Sequence, residues 1–346
     1  MREKRELMAK SRLIDEGSLK ERLITIFTMW EVLLSVIFVL LIIFFSTRTK
    51  YFLNWFNLMN ATFQFSEKAI MALPMIFIIM CGDIDISIAS IIALCAYAVG
   101  NAAAGGASIP TLIIIALAVG TLAGLFNGFM VTFLQMPAIA VTLATQSIYR
   151  GIAIGMLGDQ ARTTFPKNFG FFGQEFIKGT TIPFEFVLYL VLMVIFGFIL
   201  HKTTYGRRLY AIGNNAEVAR FSGINVKRIR IINFTITGFI SGLAAILLTS
   251  RVLSVRSNIA TGWDMEIITL VVLGGVSITG GKGTVWGVFL GSLLVGYLKF
   301  GMGLMKVSGT LMTIVIGSLL IVAVLLPRLL DLYKANRKLR RQHEVR

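Results

Sequence analysis

Cysteine, histidine and charged side chains are all scarce in this chain. Of 346 residues two are cysteine and two are histidine, so the sequence offers neither a disulfide framework nor a metal site of the usual Cys/His spacing. Charged residues make up 14% of the chain, against about 25% in a soluble domain. Residues 86–149 contain no Asp, Glu, Lys or Arg. Because one membrane helix needs about 20 apolar residues, this stretch excludes a soluble fold and indicates a polytopic, all-α membrane protein.

A phosphate-binding loop is also missing. The segment GGVSITGGKGT (274–284) is similar to one, but Lys282 is followed by Gly283 and not by Ser or Thr. The sequence contains no nucleophile elbow of a hydrolase and no HExxH helix. We therefore predict that the chain is not an enzyme, does not bind ATP through such a loop, and binds no cofactor or metal.

Basic residues are abundant and are concentrated in three places. The net charge is +16, and the segments 1–30, 201–230 and 327–346 hold seven Lys and Arg residues each. Blocks of this kind between membrane spans follow the positive-inside rule, so we expect all three in the cytoplasm, facing anionic lipid and not nucleic acid. An even number of spans places the three blocks on one side of the membrane.

The apolar runs predict ten transmembrane helices. Their approximate limits are 30–46, 63–81, 86–104, 110–133, 137–156, 184–200, 231–249, 267–278, 284–299 and 307–326. The chain then divides into a cytoplasmic N-terminal segment 1–29, a transmembrane domain 30–326 with a cytoplasmic loop 201–230, and a cytoplasmic tail 327–346.

Glycine recurs at close to four-residue spacing in two of these runs. Small residues at this spacing allow helix backbones to approach closely in lipid. We expect them to serve helix packing within one subunit or a subunit interface. The glycines are Gly120, Gly124 and Gly128 in one run and Gly283, Gly287, Gly291 and Gly296 in the other.

Two carboxylates interrupt the apolar sequence, in CGDIDISIAS (81–90). Gly82 permits a break in the backbone there, and Asp83, Asp85 and Ser87 stand where side chains can cap the following helix. Three interpretations remain open: a helix cap or internal salt bridge, a polar lining of a translocation path, and a proton relay. Other polar side chains within apolar runs either bond to neighbouring helices or line the same path, because lipid offers them no partner. They are Asn127, Thr142, Gln146 and Tyr149.

Four blocks, in order along the chain, identify a family resemblance. Together they resemble the permease subunits of bacterial ABC importers for ribose-type monosaccharides, a group that includes permeases for rhamnose and autoinducer-2. The resemblance covers residues from about 50 to 326. The blocks are GDIDISIASIIAL (82–94), LAGLFNGFMVTFLQMPAIAVTLATQSIYRGI (122–152), TTYGRRLYAIGNNAEVARFSGINVKRIR (203–230) and GWDMEIITLVVLGGVSITGGKGTVWGVFLG (262–291).

The resemblance implies a fold and a set of partners. The fold is the ten-helix, type II arrangement of the cobalamin importer. The partners are a second permease subunit, identical or different, two ABC ATPase domains on the cytoplasmic side and a sugar-binding protein on the outer side. Asp264 and Glu266, near the outer end of the eighth predicted span, would contact that binding protein or lie in a solvated loop.

The loop 201–230 contains the segment that we interpret as the ATPase coupling segment. An Asn can cap a short helix, Glu217 suits its first turn, and Val218 and Phe221 share one face. We expect this helix over 214–221, between Gly213 and Gly223. The residues of this segment are Gly213, Asn214, Asn215, Glu217, Val218, Arg220, Phe221 and Gly223.

Two other functions remain open at this point. One is a stand-alone proton-coupled sugar transporter with Asp83 and Asp85 as proton carriers, which would need no docking helix. The other is a branched-chain amino-acid permease of the ABC class, which the GDIDIS block disfavours. The sequence does not identify the sugar.

The predicted topology can be measured with reporter fusions. A fusion at the C-terminus and one within 205–225 should report the cytoplasm, and one within 165–175 should report the periplasm. A periplasmic C-terminus would contradict the even number of spans.

Overall fold

A computed structural model of the chain describes residues 30–158, 160–323 and 325. The described part is helical, with two isolated β-bridges and no strand. Its helices are α1 (Trp30–Arg48), α2 (Trp55–Thr62), α3 (Ser66–Met80), α4 (Ile88–Ala104), α5 (Ile109–Phe133), α6 (Ala138–Leu157), α7 (Phe171–Gln174), α8 (Phe184–Lys202), α9 (Thr204–Asn214), α10 (Ala216–Phe221), α11 (Val226–Val252), α12 (Trp263–Leu273), α13 (Val285–Leu304) and α14 (Gly309–Ala323).

Each of the ten predicted apolar runs contains a helix, but fewer helices have the length and composition of a span. Within the described residues five helices qualify, and a sixth if α2 and α3, bent by 52°, form one span. The predicted run 267–278 is wrong at its end, because α12 stops at Leu273 before two glycines. Eleven residues of helix reach about 16 Å, roughly half of the hydrocarbon core. The segments 1–29 and 327–346 lie outside the described residues.

Helix α3 is the centre of the molecule. All of its residues except Lys68 are buried, and it packs against α8, α11 and α12. A helix that is apolar all round belongs in the interior, where protein replaces lipid as its surroundings. The two cysteines flank this region, Cys81 directly after α3 and Cys95 in α4, and both are buried free thiols.

Helices α5 and α11 contact each other through their backbones. A Cβ atom added to Gly120 would lie 2.3 Å from the carbonyl oxygen of Gly238, and one added to Gly124 would lie 2.3 Å from that of Phe234. The second glycine run is equally close, because a Cβ atom added to Gly287 would lie 2.1 Å from the carbonyl oxygen of Gly274. Both glycine runs therefore serve helix packing within the subunit.

The helix bundle has two distinguishable ends. Met80 at the end of α3 contacts Gly213 of α9, so α9, α10 and the start of α11 lie at the same end as the end of α3. We call this the basic end, from its residues Lys202, Arg207, Arg208, Arg220, Lys227 and Arg228. At the opposite end, Glu67 at the start of α3 contacts Arg251 at the end of α11.

Replacing Gly124 tests the backbone contact. Gly124→Ala should lower the free energy of unfolding by about 1–3 kcal/mol, because the methyl group overpacks a rigid interface. Gly317→Ala on α14 is the control, since a Cβ there meets no atom within 4 Å. Thermal unfolding in detergent measures both variants, and equal melting temperatures would contradict the close packing of α5 on α11.

Candidate functional site

The break between α3 and α4 contains both acidic residues of the DID segment. Gly82 adopts φ +78°, which ends α3 and turns the chain toward α4. The carboxylate of Asp85 accepts hydrogen bonds from the backbone N of Ser87 at 2.9 Å and from its Oγ at 2.6 Å. This carboxylate satisfies the backbone N–H of Ser87, the N-cap residue of α4. Asp85 itself lies two residues before that position.

Asp83 contacts a different partner. Its Oδ2 lies 2.9 Å from Nε of Arg230, near the start of α11, in an ion pair without an aligned N–H bond. The carboxylate is almost fully buried and the guanidinium partly so. The geometry thus contains a local turn at Asp85, which bonds to Ser87 just before α4, and an internal salt bridge at Asp83.

Four side chains form a central polar network inside the subunit. Ser87 Oγ accepts a hydrogen bond from Asn127 Nδ2 at 2.8 Å, and Asn127 Oδ1 lies 3.2 Å from the Tyr149 hydroxyl. With Asp85 this chain connects the start of α4 to α5 and α6. All four residues are buried. The central polar network (Asp85, Ser87, Asn127 and Tyr149) is therefore closed to solvent in this structure.

The remaining polar candidates lie around the network. Thr142 Oγ1 lies 3.3 Å from the carbonyl oxygen of Ile84, in the break itself. Gln146 is separate from the network, since its Nε2 lies 3.4 Å from Oδ2 of Asp264. Arg150 bonds to the carbonyl oxygen of Ile259 at 2.7 Å.

The loop 274–284 packs against the end of α3. The backbone N of Gly281 donates to the carbonyl oxygen of Met80 at 3.0 Å. The Tyr210 hydroxyl of α9 donates to the carbonyl oxygen of Gly283 at 2.7 Å. Partial burial raises the pKa of Tyr210, so this phenol remains a donor at neutral pH. The glycines of the loop thus serve close contact between backbones at the basic end.

The predicted coupling segment consists of two helices. Asn215 caps α10, its Oδ1 accepting from the backbone N of Glu217 and of Val218 at 3.0 Å each. The expected helix over 214–221 is therefore wrong at its start. Gly213 lies within α9, where its contact with Met80 requires a residue without a side chain, and Asn214 is the last residue of that helix.

Helix α10 presents an uncovered face. The exposed fraction is 82% for Phe221 and 59% for Val218, the two residues predicted to share a face. Glu217 occupies the first turn and Arg220 the last, as expected for the helix dipole. Gly223 follows with φ +83° and ends the segment.

Sequence reasoning missed the ion pairs at the opposite end. Arg251 Nε lies 2.6 Å from Glu67, and Glu266 bonds to Lys68 at 2.6 Å and to Lys299 at 2.7 Å. Glu266 lies in α12 and in these ion pairs, so the expectation of a solvated loop is wrong, whereas its contact with a binding protein stays a prediction. Glu266 and Lys68 are 198 residues apart, and no local pattern connects them.

Glu185 is a further buried carboxyl group at that end. It lies in the first turn of α8, within the electrostatic reach of Glu67 and Arg251. Neither of its oxygens has a hydrogen-bond partner among the described residues. Those residues also contain no group of three or more His, Cys, Asp or Glu side chains that could hold a metal ion.

The chain is similar to known transport permeases along most of its length. A family model described as branched-chain amino acid transport system / permease component matches residues 57–324. The ribose import permease protein RbsC of Bacillus subtilis (strain 168) is 34% identical over 291 residues, 84% of this chain and 90% of that protein. The autoinducer 2 import system permease protein LsrD of Escherichia coli (strain K12) is 34% identical over 301 residues, 85% and 91% of the two chains. No solved structure matches the chain.

Removing one hydroxyl tests the central polar network. Ser87→Ala should lower the free energy of unfolding by about 1–3 kcal/mol, because Asp85 and Asn127 each lose a buried hydrogen bond. Ser147→Ala is the control, since that exposed hydroxyl bonds only within its own helix. If thermal unfolding in detergent is the same for both variants, the network does not stabilise the fold.

Proposed function

Because the chain belongs to the family of branched-chain amino acid transport system permease components, we propose that it is the membrane-spanning subunit of an ATP-driven ABC importer. In this proposal it forms the translocation path for a monosaccharide of the ribose or rhamnose type, or for a related small polyol-like molecule. ATP is hydrolysed by a separate subunit. The chain lies in the bacterial inner membrane with both termini in the cytoplasm, in a ten-span, type II arrangement.

The uncovered face of α10 carries the proposal. A helix of six residues is too short to be stable alone in water, and Phe221 is 82% exposed in this chain. Insertion of Phe221 and Val218 into a groove of an ATPase subunit would supply the missing burial. The surrounding basic end fits the cytoplasmic side of the membrane, where that ATPase must be.

The sugar assignment rests on the named relatives and on the polar network. One relative is named for ribose import and another for autoinducer 2 import. Hydroxyl, amide and carboxylate groups are the groups that hydrogen-bond to sugar hydroxyls. We propose that the path residues become accessible when the subunit opens. They are Asp83, Asp85, Ser87, Asn127, Thr142, Gln146 and Tyr149.

One face of α6 fits a second permease subunit, identical or different. Its exposed residues are small and lie three to four positions apart, so another helix can approach closely. They are Ala140, Ala144, Ser147, Gly151 and Gly155. A sugar-binding protein would then dock at the opposite end, over the path between the two subunits.

The two other functions are less well supported. A proton carrier must bind and release protons, but Asp83 is in an ion pair with Arg230, and Asp85 accepts two hydrogen bonds from Ser87. Each acid therefore has a structural partner within the subunit, which a proton relay does not require. A branched-chain amino-acid permease agrees with the family description but not with the names of the two relatives.

Uptake of radiolabelled D-ribose and L-rhamnose by the reconstituted complex tests the proposed function. Uptake should require ATP and should continue when a protonophore collapses the proton gradient. Phe221→Ala should reduce copurification of the ATPase and uptake by about tenfold, because it removes a central docking side chain worth about 1.4 kcal/mol or more. Phe129→Ala is the control, since Phe129 is also exposed but lies on α5.

Two results would contradict the proposal. Uptake that stops with the protonophore while ATP stays constant would favour the proton-coupled transporter. Full ATPase copurification and full uptake by Phe221→Ala would show that α10 is not the docking helix.

A further inference from the structure

Gly213, in α9 just before the docking helix α10, contacts the end of α3 without any intervening side chain. A Cβ atom on Gly213 would lie 2.0 Å from the carbonyl oxygen of Met80 and 2.2 Å from the backbone N of Gly281. Gly281 in turn bonds to Met80. Three backbones therefore meet at one point, one residue before the break between α3 and α4. Such a contact has no rotamers that could absorb a displacement.

The first turns of α11, which follow α10 in the chain, contact the same break from another side. Arg230, at the start of α11, pairs with Asp83 at 2.9 Å. One turn later, Asn233 Nδ2 donates to the carbonyl oxygen of Phe77 at 3.2 Å and lies 3.4 Å from Sγ of Cys81. Asn233 is buried, so these bonds hold the last turn of α3 against α11.

The break held in this way leads directly into the central polar network. Only four residues separate Met80 from Asp85, and Asp85 binds Ser87. A displacement of the break would move the Asp85 carboxylate, which accepts a hydrogen bond from Ser87 Oγ. Ser87 Oγ in turn accepts a hydrogen bond from Asn127. Gly213 before α10 and Arg230 after it thus both contact the break that carries Asp85 of the network.

We propose that Gly213 and Arg230 form a two-point clamp that transmits movement of α10 to the break between α3 and α4, and so opens or closes the central polar network during transport. The proposal rests on the proposed function, because α10 moves only if an ATPase docks on it. Gly213 and Arg230 are positioning residues that act through Met80 and Asp83.

The clamp predicts that hydrolysis and transport can be separated. Arg230→Gln, which removes the partner of Asp83 without changing a proposed path residue, should leave ATPase copurification and the rate of ATP hydrolysis near wild type. D-ribose or L-rhamnose transported per ATP should fall about tenfold, within the range of coupling between two sites. Arg230→Lys, which can keep the ion pair with Asp83, should retain most of that ratio. Arg228→Gln, an exposed neighbour on the same helix, is the control and should keep it.

A second variant tests the other point of the clamp without changing a charge. Gly213→Ala forces α9 away from Met80 and should lower transport per ATP in the same way. An unchanged ratio in Gly213→Ala or in Arg230→Gln would overturn the clamp. Loss of ATPase copurification from these variants would also overturn it, because the residues would then serve docking. A wild-type complex that takes up sugar without ATP would instead refute the proposed function.

Discussion

The backbone contact between α5 and α11 sets the positions of both polar regions of the molecule. Gly124 and Gly238 leave no side chain between the two helices, so their separation cannot be adjusted by repacking. Asn127 lies one turn after Gly124 on α5, and Asn233 lies between Gly238 and the start of α11. The contact between α5 and α11 therefore fixes the position of Asn127, in the central polar network, relative to Asn233, which contacts α3. The helical hydrogen bonding is interrupted at the break after α3.

The absence of water in lipid explains how the polar groups are arranged. A buried polar group needs a partner within the protein, and for the ion pairs these partners come from distant parts of the chain. Glu67 pairs with Arg251 at one end, and Asp83 pairs with Arg230 at the other. Charge is thus neutralised at both ends of α3, whereas the middle of that helix is apolar.

Local features were predictable from the sequence, and distant contacts were not. The break at Gly82 and the packing role of the glycine runs each depend on residues within about one turn. The shortness of α12 depends on Gly274, which contacts Val288 of α13, and on Gly275, which contacts Trp30 of α1. An apolar pattern alone did not reveal it. Gly213 was expected to precede a helix because glycine is rare inside one; its place in α9 follows from the approach of Met80.

The burial of both cysteines has a practical consequence for spectroscopy. A thiol reacts with a maleimide or nitroxide reagent only when the reagent can reach it as a thiolate. Cys81 and Cys95 are enclosed by α3, α4 and their neighbours. A single cysteine introduced at an exposed position, such as on α10 or on the outer face of α6, can therefore be labelled selectively while the native thiols stay in place. The unmodified chain already serves as a background for distance measurements between two spin labels.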